Sequence, residues 1–540
     1  MIIFDNVNER ILFIAEANMK KKSYVLISLL LIVIAIALTA CSGDKNNDKN
    51  SETPNSDHNI SQTEPTYGGS VVVGIQQDLD SLDPHKAVAA GTSEVLFNVF
   101  EGLVKPDKDG NLNPAVASKY EVSKDGKKYT FTLRDGIKFH NGELVTVEDI
   151  IYSVKRSAGL LEVEDSSIVI ESALKNITSV TAVDEKTVEI VLGEPDTELL
   201  AYFTFAIIPA NYNKQGEHPI GTGPFKFVSY ASQQSFVVEK FKEYWGTEPY
   251  LDQVTFKIVS KTDTAMFELQ AGTIDIYPYL TVDQGEQLKQ NFNIEIGNMN
   301  LVQGLFLNNA KEPFNNQKVR EALNYAIDKQ EILDFVAGGH GTVIGSCVFS
   351  GFTKYYDETL ASYYTRDVEK AKALLAEAGY PNGLTFTITV PSNYQYHVDT
   401  AQVIVNQLSE AGITAKIQTV EWASWLSDTY KGRNYEATIV GLDAPLAGRD
   451  LLQRYGSDAG NNFIGFRDTT YDEVLEKALV TTDDNEKITY YKQLQRILTE
   501  QSASVFIADP PLMVAVSKKL AGYTFYPVYV QDMSSVYITK

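Results

Sequence analysis

The cysteine at position 41 is the residue with the plainest chemistry, because of what stands before it. Lys20, Lys21 and Lys22 lead into an uncharged apolar run over residues 24–40, which closes in Leu38-Thr39-Ala40-Cys41-Ser42-Gly43. A basic segment, an apolar stretch and small residues at a cleavage point form an export signal. A cysteine placed there is a lipoprotein acceptor: its thiol takes a diacylglycerol, and cleavage leaves Cys41 as the new N-terminus. The competing reading is a transmembrane anchor, but a run of 17 residues lies at the lower edge of what spans a bilayer. Residues 1–18 carry mixed charges unlike a signal, so Met19 is read as the true start.

Other chemistry is sparse. No Gly-x-Ser-x-Gly, His-Glu-x-x-His, Cys-x-x-Cys or phosphate-binding glycine loop occurs. Asp107-Lys108-Asp109-Gly110-Asn111 has a calcium-loop look, yet Lys105 stands at its first ligand position and Val116 at its last. An Asp-Gly hairpin turn accounts for it better. His58, His85, His140, His218, His340 and His397 lack metal-ligand spacing, although a fold could bring two together. Cys347, the other cysteine, reads as a buried apolar residue. No catalytic residue, metal or cofactor is expected, and an enzyme or signalling receptor is a distant alternative.

These residues must be carried by a folded body. With 44% hydrophobic and 22% charged residues the chain is globular in composition, and 540 residues are too many for one core. Its 47 basic and 70 acidic side chains give a net charge of −23, which repels nucleic acid and argues against a polybasic membrane contact. Residues 42–67 are polar apart from Ile60 and Tyr67 and read as a disordered tether. Beyond Gly68, period-two alternation predicts strands at 129–133 and 187–191, with a further strand over 414–420. Helical spacing predicts helices over 316–336, 368–375 and 401–408. This is a mixed α/β chain.

Several blocks carry a resemblance. The longest is Tyr129-Thr130-Phe131-Thr132-Leu133-Arg134-Asp135-Gly136-Ile137-Lys138-Phe139-His140-Asn141-Gly142. Asp80-Ser81-Leu82-Asp83-Pro84-His85 precedes it, and Gly221-Thr222-Gly223-Pro224-Phe225, Tyr244-Trp245-Gly246 and Val319-Arg320-Glu321-Ala322-Leu323 follow. Together they resemble family 5 of the bacterial solute-binding proteins, the oligopeptide, dipeptide and nickel-chelate group. The resemblance implies a two-lobed periplasmic-binding-protein-like fold of the large type II class, closing by a hinge. Lobe one would comprise residues 68–298, with an inserted subdomain at about 102–203, and residues 506–540. Lobe two would comprise residues 299–505, so hinge crossings are expected near Met299-Asn300 and Val505-Phe506. The implied role is the substrate-binding component of an ABC importer, lipid-anchored on the extracytoplasmic face. It would work as a monomer and hand a small ligand, a peptide first, to permease and ATPase subunits.

The resemblance also implies a ligand strand. Peptide-binding members carry a Gly-Trp-x-Ala-Asp-type sequence whose aspartate takes the peptide's amino terminus. Here the matching stretch is Gly441-Leu442-Asp443-Ala444-Pro445-Leu446-Ala447-Gly448-Arg449-Asp450. Pro445 stands at the aspartate's place and can neither pair with an ammonium nor donate a backbone hydrogen bond. Asp443, two residues earlier and so on the same strand face, either substitutes by a register shift or is a polar strand end. An Ala-Pro pair here is also similar to nickel-chelate members, with Arg449 and Arg454 as carboxylate anchors or as solvated loop charges. The candidate ligand-binding residues are Asp443, Gly441, Leu442, Arg449, Asn461, Asn462 and Trp422, with Trp422 and Trp425 either flooring the cleft or packing.

Overall fold

The computed structural model describes residues 65–161, 168, 172–444, 446–528 and 530–540. The export signal, Cys41, nearly all of the tether, and Pro445 therefore lie outside the described residues. No helix among the described residues is long and apolar enough to cross a membrane.

Three sheets carry the architecture. The first contains β1 (Ser70–Ile75), β8 (Phe225–Ala231), β9 (Ser235–Lys240), β10 (Gln253–Ile258), β11 (Ile276–Tyr277), β12 (Phe292–Asn298) and β19 (Pro511–Ser517), ordered β12-β19-β11-β1-β10-β9-β8. Inside it β1 runs parallel to β10, from Ser70 opposite Gln253 to Ile75 opposite Ile258. Val71, Val73, Phe236, Val238 and Phe256 fill one of its cores, and Leu269, Ile274, Tyr277 and Leu288 belong to a second.

The second sheet contains β13 (Val302–Leu307), β14 (Thr342–Val343), β15 (Thr385–Pro391), β16 (Thr414–Val420), β17 (Ala437–Leu442) and β18 (Ser504–Asp509), ordered β14-β18-β13-β17-β15-β16. Every residue of β13 and β18 is buried, as strands covered on both faces must be. Leu305, Val505 and Ile507 pack into one core and Phe306 and Phe506 into the other. The two sheets are the cores of two lobes, and the fold is the expected α/β two-lobed one.

The third sheet interrupts lobe one. β2 (Val104–Pro106) and β3 (Leu112–Pro114) form a hairpin; β4 (Ala117–Val122), β5 (Lys128–Leu133), β6 (Ile177–Ala182) and β7 (Thr187–Leu192) form an antiparallel sheet ordered β4-β5-β7-β6. Its core includes Leu103, Tyr129, Phe131, Ile190, Phe203 and Ile207, and it takes in Ala447 of lobe two. The resembling motifs supply its fastenings. Arg156 makes two bonds to Asp83, at 2.9 and 2.8 Å, with both side chains buried. The Arg134 guanidinium lies 3.9 Å from the Trp245 ring, and the His140 ring lies 3.0 Å from the Gly223 carbonyl oxygen.

Two expectations need correction. The return crossing lies at Asp509-Pro510, not at Val505-Phe506, because residues 504–509 complete the second sheet as β18. The helix expected over 316–336 is two helices, Gln317–Ala326 and Lys329–Ala337. Asp328 stays extended between them and accepts a hydrogen bond from the Glu331 N–H as the second helix's cap. The crossings brace each other: the Met299 N–H donates to the Pro510 carbonyl at 2.8 Å, and the Leu301 N–H donates to the Asp509 carboxylate at 3.1 Å.

Candidate ligand-binding site

Ligands of open α/β sheets bind beyond the carboxyl ends of the parallel strands, where loops diverge and backbone groups are free. In lobe two, β15 is parallel to β16 and β17, and the three end at Pro391, Val420 and Leu442. The next residues bring Tyr394, Trp422 and Asp443 to this edge. Trp422 meets Tyr394 edge-on with ring centroids 5.4 Å apart and stacks on Trp425 at 5.1 Å. Trp425 is buried and fixed by an indole N–H bond of 2.9 Å to the Thr438 hydroxyl. Trp425 thus packs while Trp422, half-buried above it, faces the edge. The Asp443 carboxylate is exposed and acts on the Tyr394 hydroxyl, whose pKa is raised mainly by burial and secondarily by that charge.

Gly441 and Leu442 belong to the strand more than to the cleft. Gly441 pairs with Gln303 on β13, and a Cβ there would lie 1.7 Å from Leu301 Cδ2. The Leu442 side chain is buried in the lobe-two core. Asn461 is exposed, whereas Asn462 is buried and spends its amide N–H groups on the Gly456 and Phe466 carbonyls, at 3.0 and 2.8 Å. Its loop is still tied to the aromatic edge: Phe463 touches Tyr430 at 5.2 Å, and Tyr430 touches Trp425 at 5.8 Å.

The arginines turn elsewhere. Arg449, expected at a ligand carboxylate, instead pairs with Asp196 of the inserted subdomain and lies over the Tyr202 ring at 4.9 Å. Tyr202 in turn donates to Asp450. Beside this pair the Lys487 ammonium donates to the Thr197 hydroxyl at 2.7 Å and lies 3.7 Å from Glu198, which also accepts from Tyr491. Arg449 is diverted because the lead-in to the short helix Leu199–Thr204 presents the Asp196 and Glu198 carboxylates to lobe two. Arg454 is likewise engaged, donating to the Asp450 and Asp443 carbonyls at 3.0 and 3.1 Å.

Lobe one answers with its own carboxyl edge, where β1, β10, β11 and β12 end. Glu94, from helix Ala90–Leu96, is buried there near Tyr279 and Asn298. Burial pushes its carboxyl up to about 7, against the lowering effect of bonds from Tyr279 and Gln531. At the hinge, burial likewise pushes Asp509 up to about 7, opposed by the Leu301 and Asn300 N–H groups and the Ser350 hydroxyl. Of these groups the sequence had marked only Asn300, as part of the expected Met299-Asn300 crossing. For Tyr394 a signal existed, since it stands just past a strand end and before the helix Gln395–Glu410; for Glu94 there was none.

Two lobes with facing carboxyl edges, joined by two braced crossings, define a hinged binding protein. The chain belongs to the bacterial extracellular solute-binding proteins, family 5, whose model matches residues 111–462. It is 30% identical to the glutathione-binding protein GsiB of Pectobacterium atrosepticum, over 84% of this chain and 91% of that one. It is 28% identical to the dipeptide-binding protein of Escherichia coli (strain K12), over 79% and 86%. Its fold is similar to the ABC transporter substrate-binding protein CtaP of Listeria monocytogenes, with a TM-score of 0.79, 25% identity, and coverage of 88% of this chain and all of that one.

Proposed function

We propose that this protein captures a peptide between its lobes and delivers it to the membrane subunits of an ABC importer, anchored outside the cell membrane through lipidated Cys41. The observation that carries the reading is the exposed Asp443 carboxylate just past the end of β17, whose charge acts on Tyr394, itself in ring contact with Trp422. A carboxylate flanked by aromatic faces recognises an ammonium group, and a peptide's amino terminus is one. The peptide and glutathione ligands named for its relatives support the same class. A chelate held by arginine pairs is the weaker reading, since Arg449 and Arg454 are both engaged within the protein. Catalysis is not part of the role: closure follows from the ligand's higher affinity for the closed form, and the protein acts as a monomer.

Native mass spectrometry of the mature protein, purified without denaturation, tests this. Bound masses that are sums of amino-acid residue masses are expected. A single metal-containing adduct lost on chelation would overturn the peptide reading.

A further inference from the structure

At the carboxyl edge of lobe one, beside the Asn298-Met299 crossing, lies a cavity of about 20 Å³ lined by Glu94, Tyr279, Tyr523, Phe525, Tyr526 and Gln531 together with hinge and C-terminal residues. That volume holds one water-sized group. Its walls are unusual for so small a space. Glu94 is buried, and its carboxylate is bonded by a phenol, Tyr279, and by the Gln531 amide N–H at 3.3 Å, rather than by a cation. The Gln531 side chain is 4% exposed, and its Oε1 has no partner. Tyr279 is held at φ 63°, a left-handed conformation that strains a non-glycine residue and collects at binding sites. A carboxylate, an orphan acceptor and aromatic rings around a space of this size match a compact cation with several N–H donors.

We propose that this cavity is a subsite for a primary ammonium group carried by the ligand, with Glu94 as its counter-charge and the Gln531 Oε1 as a second acceptor. The inference rests on the peptide reading. On that reading the amino terminus belongs to Asp443, so the ammonium meant here is that of a lysine-type side chain. In the empty cavity burial holds the Glu94 carboxyl at about 7, so an arriving cation displaces its proton and binds more tightly as pH rises from 6 to 8. The titratable groups facing it are Tyr279, Tyr523 and Tyr526; burial raises Tyr523 and Tyr526 further above their ordinary range, with Glu295 of β12 acting on Tyr523 and Asp532 on Tyr526.

The test is calorimetric titration of the full mature protein at pH 6 and pH 8 with Ala-Lys-Ala, Ala-norleucine-Ala and their N-acetylated forms. Acetylated Ala-Lys-Ala should bind about 10-fold more tightly than acetylated Ala-norleucine-Ala at pH 8. That advantage shrinks at pH 6 and falls within about twofold in Glu94→Gln, which removes the charge while keeping the shape and one acceptor oxygen. Gln531→Met, which removes the orphan acceptor, serves if the first variant fails to fold, and should reduce the advantage by about threefold. Equal binding of amine and amine-free peptides overturns the subsite and leaves the peptide reading standing. A lysine advantage between the two acetylated peptides that survives unchanged in Glu94→Gln overturns it too. Binding of none of the four peptides overturns the peptide reading and the subsite together.

Discussion

Asp443, just past the end of β17, and Arg449, in the short helix Gly448–Gln453, stand close in sequence yet face different work. The first is exposed at the carboxyl edge of β17, and the second is committed to Asp196 across the interface with the subdomain. Asp443→Asn should therefore weaken free-amine peptides by about 10-fold and leave N-acetylated peptides unchanged in calorimetry, because only the charge is removed. Arg449→Ala should act on stability instead. Removing one member of a buried pair leaves the other unpaired, at a cost of about 3 kcal/mol, so chemical denaturation should report the loss while ligand selectivity stays the same. The stretch around Asp443 was legible because a sequence pattern marked it. The fate of Arg449 was not, since its partner lies some 250 positions earlier in the inserted subdomain and no local spacing encodes that meeting.

At the scale of elements, most strands and helices follow from their periodicity. The strand expected over 129–133 is Lys128–Leu133, and the helix expected over 368–375 is Val368–Glu377. The failures are places where one polar side chain or one sheet partner decides. Asp328 splits a continuous helical pattern by capping the second half, and β18 claims residues that sequence alone assigned to the other lobe. The Asp509 carboxyl that ends β18 makes the hinge sensitive to pH. Its folded pKa, about 7, is above the ordinary 3.8, so the native form keeps a proton that the unfolded chain releases. The resulting stabilisation is full below about pH 4 and is lost as pH rises through 7. Raising pH from 5 to 8 should lower stability by on the order of 2 kcal/mol from this group, and Asp509→Asn should remove that part of the slope in denaturant titrations.

For the molecule as a whole, two braced crossings restrict relative motion of the lobes to closure about one axis. Small-angle scattering should show a smaller radius of gyration when the ligand is added to stripped protein; an unchanged radius would count against a closing cleft. The address reading has its own check: Cys41→Ala should move the protein from the membrane fraction to the soluble fraction. The two-lobed plan was legible from the order of motifs, whereas the joining of the subdomain to lobe two through Ala447, Arg449 and Lys487 was visible only in three dimensions.

The position of β19 has a consequence for how the chain is made. It lies between β12 and β11, so lobe one is missing an interior strand until residues 511–517 have been synthesised, whereas every strand of lobe two precedes them. Biosynthesis therefore delivers a chain whose first-made half is the last to finish its sheet. For a member of an extracellular solute-binding family this delay is useful, because a polypeptide that cannot complete its native structure at the ribosome remains threadable by a translocation channel.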